Sequence, residues 1–221
     1  MKTNTKVALA TTGGLILVVI AVIVVLLAQA QQSRPTAESD PMTGIASATR
    51  GDSHILDNAG DGAVTVVEFL DFECEACAAA YPVVEELRQE FSGQVTFVLR
   101  YFPLPGHFNS TNAAVAVEAA AQQGELEAMY KQMFATQSEW GEAQQSQAPL
   151  FRKFAEDLGL DLAQYDAAVA DPATTARVES DFKDGVALGV NSTPTFFVND
   201  QIVELRSFGD LRTAIDAELS R

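Results

Sequence analysis

The order of apolar patterns in this 221-residue chain predicts an α/β domain with one mixed sheet, flanked by helices and interrupted by a large helical block. Three observations carry the prediction. Near the start of the folded part, two apolar runs, "AVTVVEFL" (Ala63 to Leu70) and "QVTFVLRYF" (Gln94 to Phe102), bracket a stretch of helical periodicity. From about residue 107 to residue 189 the pattern is almost wholly helical. The end, "TPTFFVNDQIVEL" (Thr193 to Leu205), shows two short β runs followed by one amphipathic helix.

Each element follows from its own residues. The first run is nearly continuously apolar and preceded by Gly60, Asp61 and Gly62, the pattern of a strand covered on both faces. A helix is expected from about Cys74, because Ala80, Val84, Leu87 and Phe91 recur at helical spacing and Gly93 stops it. Strand, helix, strand makes a βαβ unit, hence a parallel pair with a crossover. The middle breaks at Gly124, around Trp140 to Gln147, at Gly159 and at Asp171-Pro172, which predicts four or five helices. Asn199-Asp200 is a two-residue hairpin signal, and Leu211, Ile215 and Leu219 line the last helix, Phe208 to Leu219.

Charge is distributed unevenly. Of fourteen Lys and Arg, only Lys2 and Lys6 lie in the first thirty residues, which carry no acid, while all thirty acids follow. The acidic part repels phosphate backbones and anionic headgroups, which disfavours nucleic-acid binding and electrostatic membrane docking. Val7 to Ala28 is apolar apart from Thr11, Thr12, Gly13 and Gly14, and about 20 such residues suffice for a membrane-crossing helix. Lysines on its N-terminal side place residues 1–6 in the cytoplasm and the rest of the chain outside. Residues 7–28 are therefore expected to be a single-pass anchor in the cell membrane. Ala28-Gln29-Ala30 is a small-x-small site, so the alternative is a signal peptide cut near Ala30 and a secreted domain. Residues 29–50 are polar, lack periodicity and read as a tether, leaving 51–221 as the folded domain.

The stretch "VVEFLDFECEACAAAYPVVEEL" holds the only two cysteines, Cys74 and Cys77. So short a loop restrains the unfolded chain little, which argues against a structural staple. In an exported domain a lone adjacent pair is better explained as a redox couple. Zinc would need two further ligands, and His54 and His107 are isolated in sequence, so no metal site is expected and both histidines read as loop or surface residues. At a helix N-terminus a thiolate gains from free N–H groups and the dipole. Cys74 is thus the expected nucleophile and Cys77, a turn further in, the resolving thiol.

Glu68 is a carboxylate inside an apolar strand. Burial would raise its pKa and let it pass a proton to or from the inner thiol; a strand-end glutamate facing water is the other reading. Asp71, Glu73 and Glu75 are expected to be exposed, opposing thiolate formation.

The segments "EFLDFECEAC" (Glu68 to Cys77), "LRYFPL" (Leu99 to Leu104) and "GVNSTPTFFVN" (Gly189 to Asn199) resemble the DsbA-type thiol:disulfide oxidoreductases of the thioredoxin superfamily. The likeness runs from about Asp57 to the C-terminus. It implies a thioredoxin fold with a helical insertion domain, preceded here by one N-terminal transmembrane helix. By the same resemblance Glu68 matches the buried acid, Pro82 the proline that kinks the active-site helix, and Pro194 the cis-proline. Thr193 then presents its backbone to the substrate chain. The strongly oxidising members carry Pro-His between the cysteines, whereas this chain has Glu75-Ala76, which implies a less stabilised thiolate and a weaker oxidant.

The resulting expectation is an extracytoplasmic oxidase that donates a Cys74–Cys77 disulfide to exported, incompletely folded proteins, with no cofactor beyond that disulfide. By the resemblance, its redox partner is a quinone-linked membrane protein of the DsbB or vitamin K epoxide reductase kind. Two alternatives stand beside it: a reductase or isomerase using the same site, and a non-catalytic thioredoxin-fold scaffold.

Overall fold

The computed structural model describes residues 47–221. The expected tail (1–6), anchor or signal segment (7–28) and the tether up to residue 46 lie outside the described residues. Among those described, no helix is long and apolar enough to cross a membrane.

Twelve elements follow one another: β1 (His54–Asp57), β2 (Val64–Leu70), α1 (Glu75–Glu90), β3 (Val95–Tyr101), α2 (Ser110–Ala121), α3 (Leu126–Trp140), α4 (Ala148–Asp157), α5 (Leu162–Ala170), α6 (Pro172–Ala187), β4 (Thr195–Val198), β5 (Gln201–Ile202) and α7 (Gly209–Leu219). The five strands form one sheet in the order β1-β3-β2-β4-β5. Only β2 and β3 are parallel, as their helical crossover requires. The other neighbours are antiparallel, so the sheet is mixed.

Continuous apolar runs become the central strands because both of their faces are covered. Val66 and Phe97 meet Val84, Leu87, Leu211 and Ile215 of α1 and α7. On the opposite face Val67, Phe69 and Val98 pack with Phe102, Val190, Phe197 and Ala48. Beyond the C-terminal ends of β2 and β3, Phe72, Cys77 and Tyr101 join the core of the helical insertion with Met133, Trp140 and Phe151. Fully burying one such Phe or Leu contributes about 1.5–3 kcal/mol. Gly185 has a packing role inside α6, since a Cβ there would lie 2.7 Å from the Phe102 ring.

The expected helix breaks fall where the chain turns. Asp171 accepts a hydrogen bond from Ala173 N–H at 2.8 Å and Pro172 opens α6. Asn199 and Asp200 both take positive φ, 45° and 62°, as a tight hairpin turn demands.

Two features differ from expectation. The edge strand β1 has only two apolar residues and a bulge between Ile55 and Asp57, too short a pattern to read as a strand. The tether also ends earlier than residue 50. Ala48 is fully buried, its N–H donating to Asp200 Oδ1 at 2.7 Å and its carbonyl accepting from Arg100 at 2.7 Å. Arg50 donates to Ser180 and Asp184. These polar residues look like linker in sequence because their partners lie 50 to 150 positions away.

Candidate active site

The two cysteines sit where β2 hands over to α1. Cys74 is the N-cap of that helix, in extended conformation, and no side chain caps the exposed N–H groups. Those donors are therefore free for the sulfur. Both cysteines are free thiols. Cys74 retains 7 % of its surface and Cys77 none, so the expected order of burial holds, although the outer cysteine is itself less exposed than a surface nucleophile. Pro82 lies inside α1, where its missing N–H leaves the Ala78 carbonyl without its helical partner.

The thiols have opposite environments. The Cys74 pKa is lowered to about 5: the hydrogen bond from Cys77 contributes most, burial works against it, and the Thr193 side chain and the backbone of Cys77 and Ala76 add to the lowering. As a thiol, Cys74 donates to the Thr193 carbonyl at 3.5 Å. The Thr193 hydroxyl is buried and has no other hydrogen-bond partner. The Thr193–Pro194 peptide is cis, which places that carbonyl beside the sulfur. Cys77 is pushed well above the ordinary thiol value by burial, by its bond to Cys74 and by the charge of Glu68. One sulfur is thus an anion and the other a proton carrier at neutral pH.

Glu68 is buried in the middle of β2, on the same side as Val66 by strand alternation. Its pKa is raised to about 8, first by loss of solvent and then by the charges of Glu85 and Cys74. The buried reading of this acid therefore holds over the water-facing one. It is a protonated acid near the resolving thiol.

Asp71 and Glu73 are not exposed as expected; each keeps 1 % of its surface. Asp71 Oδ1 accepts from Glu73 N–H at 2.9 Å, while Oδ2 accepts from Leu104 N–H at 2.9 Å and meets His107 Nδ1 at 2.7 Å. Glu73 fastens the cysteine loop to the helical insertion. Its carboxylate accepts from Asn109 N–H at 2.6 Å and Glu142 N–H at 3.1 Å, and its carbonyl accepts from Gln137 at 2.8 Å. The bond to Glu142 also supports a residue held at φ 60°. These acids are buried because the insertion supplies donors that no local pattern reveals. Glu75 alone is exposed, as expected. Its carboxyl is held below the ordinary range by its own N–H and by a bond with Glu142, whose carboxyl the same bond raises.

The histidines also depart from expectation. His54 lies in β1, not a loop, with Nε2 2.5 Å from Glu118. His107 is in a loop but belongs to the cysteine site through Asp71; its signal in the sequence is that no Lys or Arg occurs in any segment around the cysteines. A cavity of about 420 Å³ in the insertion, bordered by Val115, Phe151 and Tyr165, is lined by none of these residues.

A family model described as Thioredoxin matches residues 59–217, which span strands β2 to β5, the insertion and the cysteine pair. The chain belongs to the thioredoxin family. Within that family its structural neighbours are DsbA-type thiol–disulfide oxidoreductases. A thioredoxin-like oxidoreductase from Silicibacter pomeroyi DSS-3 superposes with a TM-score of 0.67 at 29 % identity, over 81 % of this chain and 99 % of that one. Wolbachia pipientis alpha-DsbA1 gives a TM-score of 0.67 at 16 % identity, over 78 % and 93 % of the two chains, a likeness of fold. Among curated sequences, the chain is 37 % identical over 144 residues to the Na(+)/H(+) antiporter NhaA 1 of Mycobacterium sp. (strain KMS), covering 63 % of this chain. The chain spans only 22 % of that relative's length.

Proposed function

We propose that this thioredoxin-family protein is an extracytoplasmic disulfide oxidase, tethered by residues 7–28, that passes its Cys74–Cys77 disulfide to exported proteins. The observation that carries the reading is the split between the sulfurs: a Cys74 thiolate lowered to about 5 beside a Cys77 held as a thiol. A pair built this way stabilises its reduced form, and so its disulfide tends to be given away.

The electrons and protons balance as follows. A client thiolate attacks Cys74, the Cys74–Cys77 bond breaks, and Cys77 leaves as a thiolate that takes a proton from Glu68. A second client thiolate then attacks the client sulfur of the mixed disulfide and expels Cys74 as its stable thiolate. The client has lost two electrons and two protons. The enzyme has gained both electrons and holds one proton on Cys77; both client protons go to solvent, from which Glu68 regains the one it gave. The Thr193 carbonyl offers an acceptor to the client backbone, and Phe108, 53 % exposed and next to His107, offers an apolar surface. A quinone-linked membrane partner of the DsbB or vitamin K epoxide reductase kind restores the disulfide.

Equilibration with a glutathione buffer tests the direction. A potential between about −120 and −180 mV supports the oxidase, and one near about −270 mV assigns the site to reduction. The lowered Cys74 value lies between about 3.5 and about 7, the values of a strong oxidant and of thioredoxin respectively, so a potential between theirs is expected.

The antiporter likeness favours a second reading, in which the domain serves one membrane transport protein rather than many clients. Trapping on a Cys77→Ser variant separates the two: many exported proteins captured on Cys74 support the general oxidase, and a single membrane protein supports the dedicated one.

A further inference from the structure

Four carboxylates belong to the segments that meet at the cysteine loop: Asp71 and Glu73 precede Cys74, Glu75 follows it, and Glu142, from the loop between α3 and α4, bonds to Glu73 through its N–H and to Glu75 through its carboxyl. The segments that carry them, together with residues 103–109 and 189–195, hold no Lys or Arg. A thiolate among like charges is disfavoured unless a cation answers it. One basic side chain is available.

We propose that His107 is a positioning residue that supplies the positive charge opposite Cys74, oriented by Asp71, and that it sets how oxidising the cysteine pair is. The proposal rests on the thiol-exchange reading of this site and names a residue outside the C-x-x-C segment that tunes it.

The geometry ties the imidazole to the Cys77 sulfur and to the Cys74 backbone through one buried residue. Asp71 Oδ2 holds His107 Nδ1 at 2.7 Å and Leu104 N–H at 2.9 Å, and His107 N–H closes the turn onto the Leu104 carbonyl at 3.0 Å. The same Asp71 donates its N–H to Cys77 Sγ at 3.5 Å and accepts the Cys74 N–H on its carbonyl at 3.2 Å. A fully buried carboxylate with the ring on one oxygen favours the imidazolium, while the ring, 26 % exposed, leaves Nε2 without a partner among the described residues. The groups facing the ring are Asp71 and Glu73 of the cysteine loop, Cys74 and Glu75 at the start of α1, and Glu142. Every one of them is an anion or can become one. Burial alone would lower the His107 pKa, but the bond to Asp71 and the charges of Asp71, Cys74 and Glu73 raise it overall. The imidazolium and the thiolate therefore favour each other, and such coupling is reciprocal.

Reciprocity supplies the test, because a loop staple would not show it. The chain has two histidines, so His107 can be followed by NMR in the full chain in detergent. In the reduced protein its pKa is expected to lie about one unit above that in the oxidised protein, where the thiolate is gone; equal values overturn the proposal. Thiolate absorbance near 240 nm then reads Cys74 in two variants. His107→Gln, which can keep a bond to Asp71 but no charge, is expected to raise the Cys74 titration by about one unit and to shift the glutathione equilibrium about tenfold towards the disulfide. His107→Lys, which keeps the charge, is expected to hold the wild-type titration. If neither variant moves Cys74, or both move it equally, the charge is not the cause and the proposal falls. Should wild type itself fail to exchange with glutathione, the functional reading fails instead, while both titrations still report the coupling.

Discussion

Two groups of acids lie near the C-terminal ends of β2 and β3, and their cations differ. Next to β3, Asp181 and Asp184 are met by Arg100, Arg177 and Arg50; Arg100 donates to Asp181 at 2.5 Å and Asp184 at 2.6 Å with no exposure of its own. Around Cys74, Asp71 and Glu73 are met by backbone N–H groups and one imidazole. A guanidinium cannot lose its proton in a protein, so the cations of the first group keep their charge and act as a clasp. Around Cys74 the one cation is an imidazole, which can gain or lose its proton near neutrality, so the charge facing that group depends on pH. The same raw material, buried carboxylates, therefore yields a structural joint in one place and an adjustable environment in the other.

The contrast can be broken at either end. The largest effect is expected from Cys74→Ser, which abolishes disulfide exchange with glutathione while leaving the arginine clasp and the far-ultraviolet circular dichroism intact. Next, Arg100→Ala takes one of the two arginines from buried Asp181 and releases the Ala48 carbonyl, costing about 3–5 kcal/mol in urea unfolding. The comparison requires that this variant keep the wild-type Cys74 titration; a shift there would show that the two groups are not separate. Glu68→Gln removes the proton carrier for the departing Cys77 and is expected to slow formation of the mixed disulfide about 100-fold in stopped-flow exchange. An unchanged rate would remove Glu68 from the mechanism. Smaller still, Glu73→Gln weakens the bonds from Asn109 and Glu142 and should cost about 1–3 kcal/mol in urea unfolding.

The pH dependence of stability gives the subtlest test, under reducing conditions. Glu68 rises from 4.5 to about 8 on folding, so its contribution is complete below pH 4.5 and is lost as pH climbs through about 8. Cys74 falls from 9.0 to about 5, so its contribution is complete above pH 9 and is lost as pH drops through about 5. The two slopes oppose each other between these values. Urea midpoints of Glu68→Gln should therefore rise with pH across that window, and those of Cys74→Ser should fall.

Much of this architecture was legible because it depends on local pattern. Continuous apolar runs marked β2 and β3, helical spacing with Gly93 marked α1, and Asp171-Pro172 marked the start of α6. The weak elements escaped for the same reason: β1 and residues 47–50 owe their place to β3, Asp200 and α6 and carry little pattern of their own. At the site, Cys74, Cys77, Glu68, Thr193 and Pro194 come together as expected. Asp71, Glu73 and His107 were misplaced, since their character depends on donors from the insertion and from the loop after β3.

By itself the sequence determined which atoms can exchange electrons, through a single adjacent pair of cysteines at a helix start and an acid within an apolar strand. Only the tertiary structure decided the charge state of those atoms. A carboxylate in sequence has the same formula whether it meets water, an arginine or an amide, and its burial and partners are set by segments tens of residues away. Proton affinity, and with it the balance between thiol and thiolate, is a property of that surrounding.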